Sequence, residues 1–104
     1  MFADINLQVW FDAHANQGQT LIVPYIKAER DVRLQYELKV LNRSKTGTSN
    51  VSQGGEISVP AGQPKAVSSI RVMPQAGGQC EVDLTLRENG EQVGQYTFDC
   101  GVKK

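Results

Sequence analysis

The chain has little of the material from which most catalytic and nucleic-acid-binding sites are built. Its 104 residues include a single histidine, His14, so a histidine-rich metal site is excluded. Eleven basic and eleven acidic side chains give a net charge of zero, which excludes a uniformly basic nucleic-acid-binding surface. No run approaches the roughly 18 consecutive apolar residues of a membrane-spanning helix. Residues 1–4 lack the charged and apolar regions of an export signal.

The sequence also lacks the usual enzyme motifs. It has no pair of carboxylates at acid–base spacing, no phosphate-binding glycine loop and no cluster of metal-binding residues. The triplet Lys45-Thr46-Gly47 matches one found in serine β-lactamases, but no Ser-x-x-Lys precedes it and the chain is far too short for that fold. We therefore expect a protein that is not an enzyme and that needs no cofactor.

Strand-like alternation is abundant. Apolar side chains occupy every second position from Val32 to Val40, with charged or polar residues between them, as in a strand with one buried face. A polar run follows Val40 and indicates a long surface connection, while residues 13–18 indicate a loop. Pro24 predicts either a bulge or an edge position for the second strand. Strands are predicted at 5–11, 20–28, 32–40, 52–59, 65–73, 79–88 and 92–100.

This pattern predicts an all-β fold, a seven-stranded immunoglobulin-like antiparallel β-sandwich. Helical periodicity is absent over any useful length, and turn residues separate the strands. The length suits one domain covering residues 1–104. Trp10 is out of phase with its apolar neighbours, so we expect it to point away from the core.

Two cysteines lie at matching ends of the last two predicted strands. Asn89-Gly90 is a strong hairpin signal between them. A register that pairs Cys80 with Cys100 also pairs Val82 with Phe98 and places the apolar side chains of both strands on one face. The two thiols can then form a cross-strand disulfide, or they can remain reduced as small buried apolar residues. A disulfide implies export and hence a mature chain whose signal peptide has been removed.

The stretch from Leu34 to Pro64, with its Val-Pro-Ala-Gly-Gln-Pro corner, is followed by Ile70-Arg71-Val72, a Gly77-Gly78 turn and the final hairpin. This serial arrangement resembles the CsgC/CsgH family of curli chaperones over about the last two-thirds of the chain. The resemblance implies a monomeric periplasmic chaperone that binds an unfolded or early oligomeric curlin subunit and keeps it from polymerising. It implies no nucleic-acid partner and no membrane insertion.

Some members of that family carry Cys-x-Cys at the start of the third strand, where this chain has Val32-Arg33-Leu34. Thiol exchange is therefore not expected, since no Cys-x-x-Cys motif or helix N-terminus lowers a thiol pKa. A thiol-disulfide oxidoreductase remains an alternative function. An adhesion or structural module of an exported protein is another.

Basic side chains on the outer face are the predicted contacts with the client. They are Arg33, Lys39, Arg43, Lys45, Arg71 and Arg87. The same residues also suit a solvated face that only keeps a β-protein soluble. We expect weak electrostatic contact with the client in preference to addition of a client strand to the sheet, because prolines such as Pro24, Pro60 and Pro64 blunt exposed edges.

Overall fold

The computed structural model describes residues 6–75 and 77–101, and these residues form eight β-strands. The strands are β1 (Leu7–Asn16), β2 (Gln19–Ala28), β3 (Val32–Ser44), β4 (Gly47–Val59), β5 (Lys65–Ala66), β6 (Ile70–Val72), β7 (Gln79–Glu88) and β8 (Glu91–Asp99). Within those two ranges there is no helix, and so none long and apolar enough to cross a membrane. The predicted all-β class is confirmed. Ile5, predicted to open the first strand, lies outside the described residues.

The strands form two antiparallel sheets. In the first sheet, β2 lies between β1 on one side and the short strands β5 and β6 on the other. The second sheet has the order β4-β3-β7-β8. The prediction of seven strands was wrong because residues 65–73 form two short strands rather than one. The immunoglobulin-like topology stays a prediction.

Pro24 explains where β5 and β6 separate. It lies in the central strand of the first sheet, paired with Phe11 in an unbroken register, so it marks neither an edge nor a bulge between β1 and β2. The Val67 N–H, between β5 and β6, donates to the Pro24 carbonyl at 2.8 Å. Because the N and C=O of one strand residue face the same side, the position without an N–H faces the gap between β5 and β6. The N–H that Pro24 lacks would therefore point into the gap between β5 and β6, where no continuous strand is present to accept a hydrogen bond.

Two segments predicted as connections are strands. β1 continues through Asn16, and only Gln17 and Gly18, both at positive φ (53° and 80°), form the turn to β2. β3 continues to Ser44 and pairs along its whole length with β4, so the polar run is a long hairpin with Lys45 and Thr46 at its tip. Polar composition was misleading because both faces of this part of β4 are exposed. Strand structure there does not require alternation.

The core lies between the two sheets. One hydrophobic cluster contains inward-facing residues of both, and six of its large aliphatic side chains have no measurable exposure: Ile22, Ile26, Leu34, Leu38, Leu84 and Leu86. Phe11 of β1 stacks on Phe98 of β8, with ring centroids 5.2 Å apart, where the two sheets come together at one side. Trp10 lies outside the core, as predicted, and stacks on Tyr25 across the β1–β2 pair.

The last hairpin has the predicted register. Val82 pairs with Phe98, Leu84 with Tyr96, and the turn residues Asn89 and Gly90 both have positive φ. Cys80 and Cys100 form a disulfide with a Cα–Cα distance of 4.9 Å, and both are buried. Neither of the two cysteines of the chain is free. Because both cysteines are buried, the disulfide is shielded from attack by an external thiolate.

A hydrogen-bonded corner joins the end of β2 to the segment after β4. The Ala61 N–H donates to Asp31 Oδ1 at 2.7 Å, and the Gly62 N–H donates to the Ala28 carbonyl at 2.8 Å. Gly62 has φ +74°, a conformation that favours glycine. The Val-Pro-Ala-Gly-Gln-Pro segment is thus a fixed connection between the sheets.

Replacing Asp31 by alanine is expected to lower the free energy of unfolding by about 1 kcal/mol, because the exposed bond to the Ala61 N–H is lost. Urea denaturation measures the difference. Asp31→Asn is the matched control, since its side-chain carbonyl can still accept the bond, and it should lose less stability. Equal losses in the two variants would show that the carboxylate charge, and not the hydrogen bond, stabilises the corner.

Candidate functional site

Basic side chains lie along the outer face of β3, in the second sheet. Alternation places Leu34, Leu38 and Val40 in the core, so the residues between them project outward. Arg33, Lys39 and Arg43 are all exposed on this face. At about 3.4 Å per residue, Arg33 and Lys39 are roughly 20 Å apart along the strand, and Lys39 and Arg43 roughly 14 Å. We call these three residues the basic row.

Each member of the basic row lies opposite a short hydroxyl side chain on the edge strand β4. The opposing residues of Arg33, Lys39 and Arg43 are Ser58, Ser52 and Thr48, respectively. Short side chains on the edge strand leave room for the longer basic groups to extend over it toward solvent. The basic row is therefore accessible from the β4 side of the sheet.

The charges of the basic row have no partner in the described parts of the chain. Among residues 6–75 and 77–101, no carboxylate lies within 4.0 Å of the cationic groups of Arg33, Lys39 or Arg43. Arg87 differs, because its Nη1 lies 4.0 Å from Glu37 Oε1 on the neighbouring strand. Arg33 and Arg43 lie opposite no carboxylate, whereas Lys39 lies opposite Asp83 in the β3–β7 register and Arg87 lies near Glu37, so the charges of Lys39 and Arg87 are partly compensated.

The remaining predicted contacts lie elsewhere. Lys45 is exposed in the turn that joins β3 to β4 and continues the positive charge just beyond Arg43. Arg71 is on β6, paired with Leu21 of β2, so it belongs to the first sheet. The structure brings together four of the six predicted residues at the β3–β4 side, leaves Arg87 paired with Glu37, and separates Arg71 from all of them.

An acidic cluster occupies the other side of the same face. Glu81 and Asp83 of β7 project outward beside Asp99 of β8. The Asp83 carboxylate raises the pKa of Glu81 by charge repulsion, and desolvation, a hydrogen bond with Asp83 and the charge of Asp99 add to the effect. In the part of the chain that the structure describes, no such group is arranged to hold a metal ion. The acidic cluster thus lies toward β8, while toward β4 the basic row alternates with Glu37 of β3 and Glu56 of β4 on the same face.

Residues 1–94 match the family model described as thin aggregative fimbriae synthesis protein, Tafi-CsgC. The chain belongs to this family. The resemblance inferred from the residues is confirmed. No curated protein matches the chain in sequence.

Solved structures share the fold of this Tafi-CsgC member. The solution structure of CsgH from R. palustris superposes with a TM-score of 0.72 at 22% identity, covering 90% of this chain and 92% of that one. The E. coli curli protein CsgC gives a TM-score of 0.78 at 16% identity, covering 91% and 98%. A β-glucuronidase of glycoside hydrolase family 2 gives 0.58 at 14% identity over 90% of this chain, but over only 11% of its own.

Family membership associates this Tafi-CsgC protein with curli synthesis. The family and the Cys80–Cys100 disulfide together indicate an exported protein, periplasmic or extracellular, because such bonds persist in oxidising compartments.

One feature of the site was missed by sequence reasoning, the exposed part of β4. Residues 47–55 are all exposed, and within the part of the chain that the structure describes they pair with β3 alone. A groove of about 370 Å³ separates their inner face from residues 69–75, with Val51 and Met73 among its lining side chains. The sequence signal for a strand here was weak. Thr48 and Val51 are β-branched, which favours a strand, but the polar residues around them indicate a loop.

Proposed function

We propose that this protein is a periplasmic chaperone that delays amyloid polymerisation of curli subunits through weak contacts with charged side chains. It acts as a monomer and catalyses no reaction. The observation that carries the proposal is the basic row, three exposed cations without a carboxylate partner in the described residues of a Tafi-CsgC member. The partner is an unfolded or early oligomeric curlin subunit.

Electrostatic contact of this kind is weak and reversible. Exposed ion pairs contribute about 0.2–1 kcal/mol each, so a client that meets two or three members of the row is held only transiently. Complementary charge mainly accelerates encounter and selects partners. A transient complex suits a chaperone that must release its client for secretion, and it predicts that a small number of molecules can delay many subunits.

A chaperone of amyloid-forming subunits must itself avoid seeding fibrils. Exposed strand edges recruit other strands unless charge, proline or a bulge interrupts them. At the β8 edge the register shifts between Leu86 and Arg87, and Glu91 and Asp99 add negative charge to that strand. Pro60 and Pro64 flank the connection between the sheets, whereas Pro24 is buried in a central strand and protects no edge. Edge protection is therefore uneven around the molecule.

Charge reversal of the basic row tests the proposal. The variant Arg33→Glu/Lys39→Glu/Arg43→Glu should need about tenfold more protein than the parent for an equal delay of curlin fibril growth. Three lost contacts of about 0.5 kcal/mol amount to about 1.5 kcal/mol, which is roughly tenfold in affinity. Fibril growth is followed with an amyloid dye after the protein is added, well below equimolar ratio, to freshly denatured subunit.

The double variant Lys39→Glu/Arg43→Glu has a matched control that reverses two charges on the first sheet, Lys27→Glu/Lys65→Glu, and this control should delay fibrils as the parent does. The delay caused by the parent should shorten as salt is raised beyond about 0.15 M, where the Debye length falls below about 8 Å. An undiminished delay from the basic-row variant would remove the electrostatic proposal. No delay from the parent protein would remove the chaperone proposal altogether.

A further inference from the structure

The edge of β4 lacks the devices that discourage strand pairing. Among residues 6–75 and 77–101, β4 is the terminal strand of the second sheet and hydrogen-bonds only to β3, in a register that continues without a bulge from Gly47 to Val59. Residues 47–55 contain no charged residue and no proline. All of them are exposed. An exposed, regular and uncharged edge offers a row of unpaired backbone N–H and C=O groups to a further strand.

Other edges in the described parts of the chain are less suited to accept a strand. β8 has a register shift opposite Leu86 and Arg87. The β2 side of the first sheet ends in two short strands of two and three residues, one of which carries Arg71. β1 has Asp12 in its middle, and the ring of its Phe11 stacks on Phe98 of the other sheet. β4 therefore offers the longest uncharged edge.

We propose that residues 47–55 of β4 accept an extended segment of the client as an added strand. The segment carries carboxylates on the face it shares with the basic row. The inference deepens the proposed function and rests on it for the identity of the client. It reverses the expectation of charge contact without strand addition, because none of Pro24, Pro60 and Pro64 lies within residues 47–55. Adjacent strands are about 4.8 Å apart, so the added strand lies next to the hydroxyl residues Thr48 and Ser52, beyond which Arg43 and Lys39 extend.

Spacing defines the chemistry of the segment. Arg43 and Lys39 are four residues apart on one face of β3, so the matching carboxylates are also four residues apart, on one face of the added strand. Side chains one and three residues after the first carboxylate point to the opposite face and enter the groove beside Val51 and Met73. These two side chains are 49% and 62% exposed and are available to pack against an apolar group.

Charge disfavours a second copy of this chain as the occupant. Two copies joined through β4 would form one continuous sheet. The two basic rows would lie on one face of this sheet or on opposite faces, and residues 47–55 of the two copies supply no carboxylate to balance them. An acidic extended segment meets no such mismatch.

Two peptides of identical composition test the geometry. Both are proline-free nine-residue peptides, one with Glu at positions 3 and 7, which share a strand face, and one with Glu at positions 3 and 6, which do not. The protein should bind the first peptide about two- to fivefold more tightly, the contribution of one exposed ion pair, as measured by NMR titration. Binding should slow hydrogen exchange of amides in residues 47–55. Equal affinity for the two peptides would overturn strand addition.

Val51→Lys separates strand addition from simple charge attraction. Its ammonium group lies on the inner face of the edge, where a charge discourages strand pairing, while it raises the positive charge of the molecule. We expect about tenfold weaker binding of the first peptide, with Val51→Thr as the uncharged β-branched control binding like the parent. Equal or tighter binding by Val51→Lys would overturn the inference, as would a dimer of the parent that this substitution dissociates.

The peptide results are independent of the curlin assay. If Val51→Lys weakens peptide binding but the basic-row variant still delays curlin fibrils fully, the added strand stands and the proposed function fails. If the basic-row variant loses its delay while Val51→Lys retains both peptide binding and delay, the function stands and the added strand fails.

Discussion

The double variant Cys80→Ser/Cys100→Ser is expected to unfold with a free energy about 3 kcal/mol below that of the oxidised parent. The bond joins residues 20 positions apart, and closing a loop of that size in the unfolded chain corresponds to about 3 kcal/mol in the chain-entropy model. The native hairpin keeps its other support, because the Cys100 N–H donates to the Cys80 carbonyl at 3.1 Å and the β7–β8 register continues from there. The fold should therefore survive at reduced stability.

Urea denaturation of the oxidised parent, the reduced parent and the variant measures this loss. The reduced parent retains both buried thiols, so it isolates the covalent bond from the cost of burying two serine hydroxyls. Fibril delay by the variant, compared at equal concentrations of folded protein, should match that of the parent. A stability of the reduced parent equal to that of the oxidised one would contradict the prediction. A lost delay in a fully folded variant would give the cysteines a role beyond stability.

Sequence reasoning succeeded where one face of a strand is buried. Around Leu84 the alternation of apolar and polar residues determines both the strand and its register, because a slip by one residue would expose every apolar side chain of β7. Asn89-Gly90 fixes the same hairpin through its positive φ angles. The two signals agree, and the facing positions of the cysteines followed from them.

The same reasoning failed where neither face is buried. Residues 47–55 form a regular strand, but neither face of it packs against the core. The sequence therefore shows no alternation of apolar and polar residues from which the strand could be predicted. The split between β5 and β6 likewise depends on the backbone of Pro24 in another strand, which only the folded sheet brings near. Long-range pairing decides both features.

The candidate site was predictable in part for the same reason. Alternation along β3 places Arg33 and Lys39 on the outer face, and the structure agrees. Alternation cannot show which sheet contains Arg71, nor that Glu37 of a neighbouring strand lies close to Arg87. The edge beside the basic row depends on strand order, which one-dimensional patterns do not contain.

Leu84→Ala is expected to lower the free energy of unfolding by about 2–5 kcal/mol, a large share of the 5–15 kcal/mol typical of a domain. Leu84 has no exposure and lies opposite Leu38 on one side and Tyr96 on the other, at the centre of the second sheet. Truncation leaves a cavity between strands that cannot close without moving the core of both sheets. Urea denaturation measures the change.

Thr85→Ala is the matched control for Leu84→Ala, because the next residue of the same strand faces outward and is only partly buried. It should lose less than about 1 kcal/mol, mainly through lower strand propensity. A larger loss for Thr85 than for Leu84 would mean that β7 presents its other face to the core. In the β3–β7 register Lys39 of β3 lies opposite Asp83 of β7, so an inverted β7 would also remove Asp83 from the outer face at which we propose client contact.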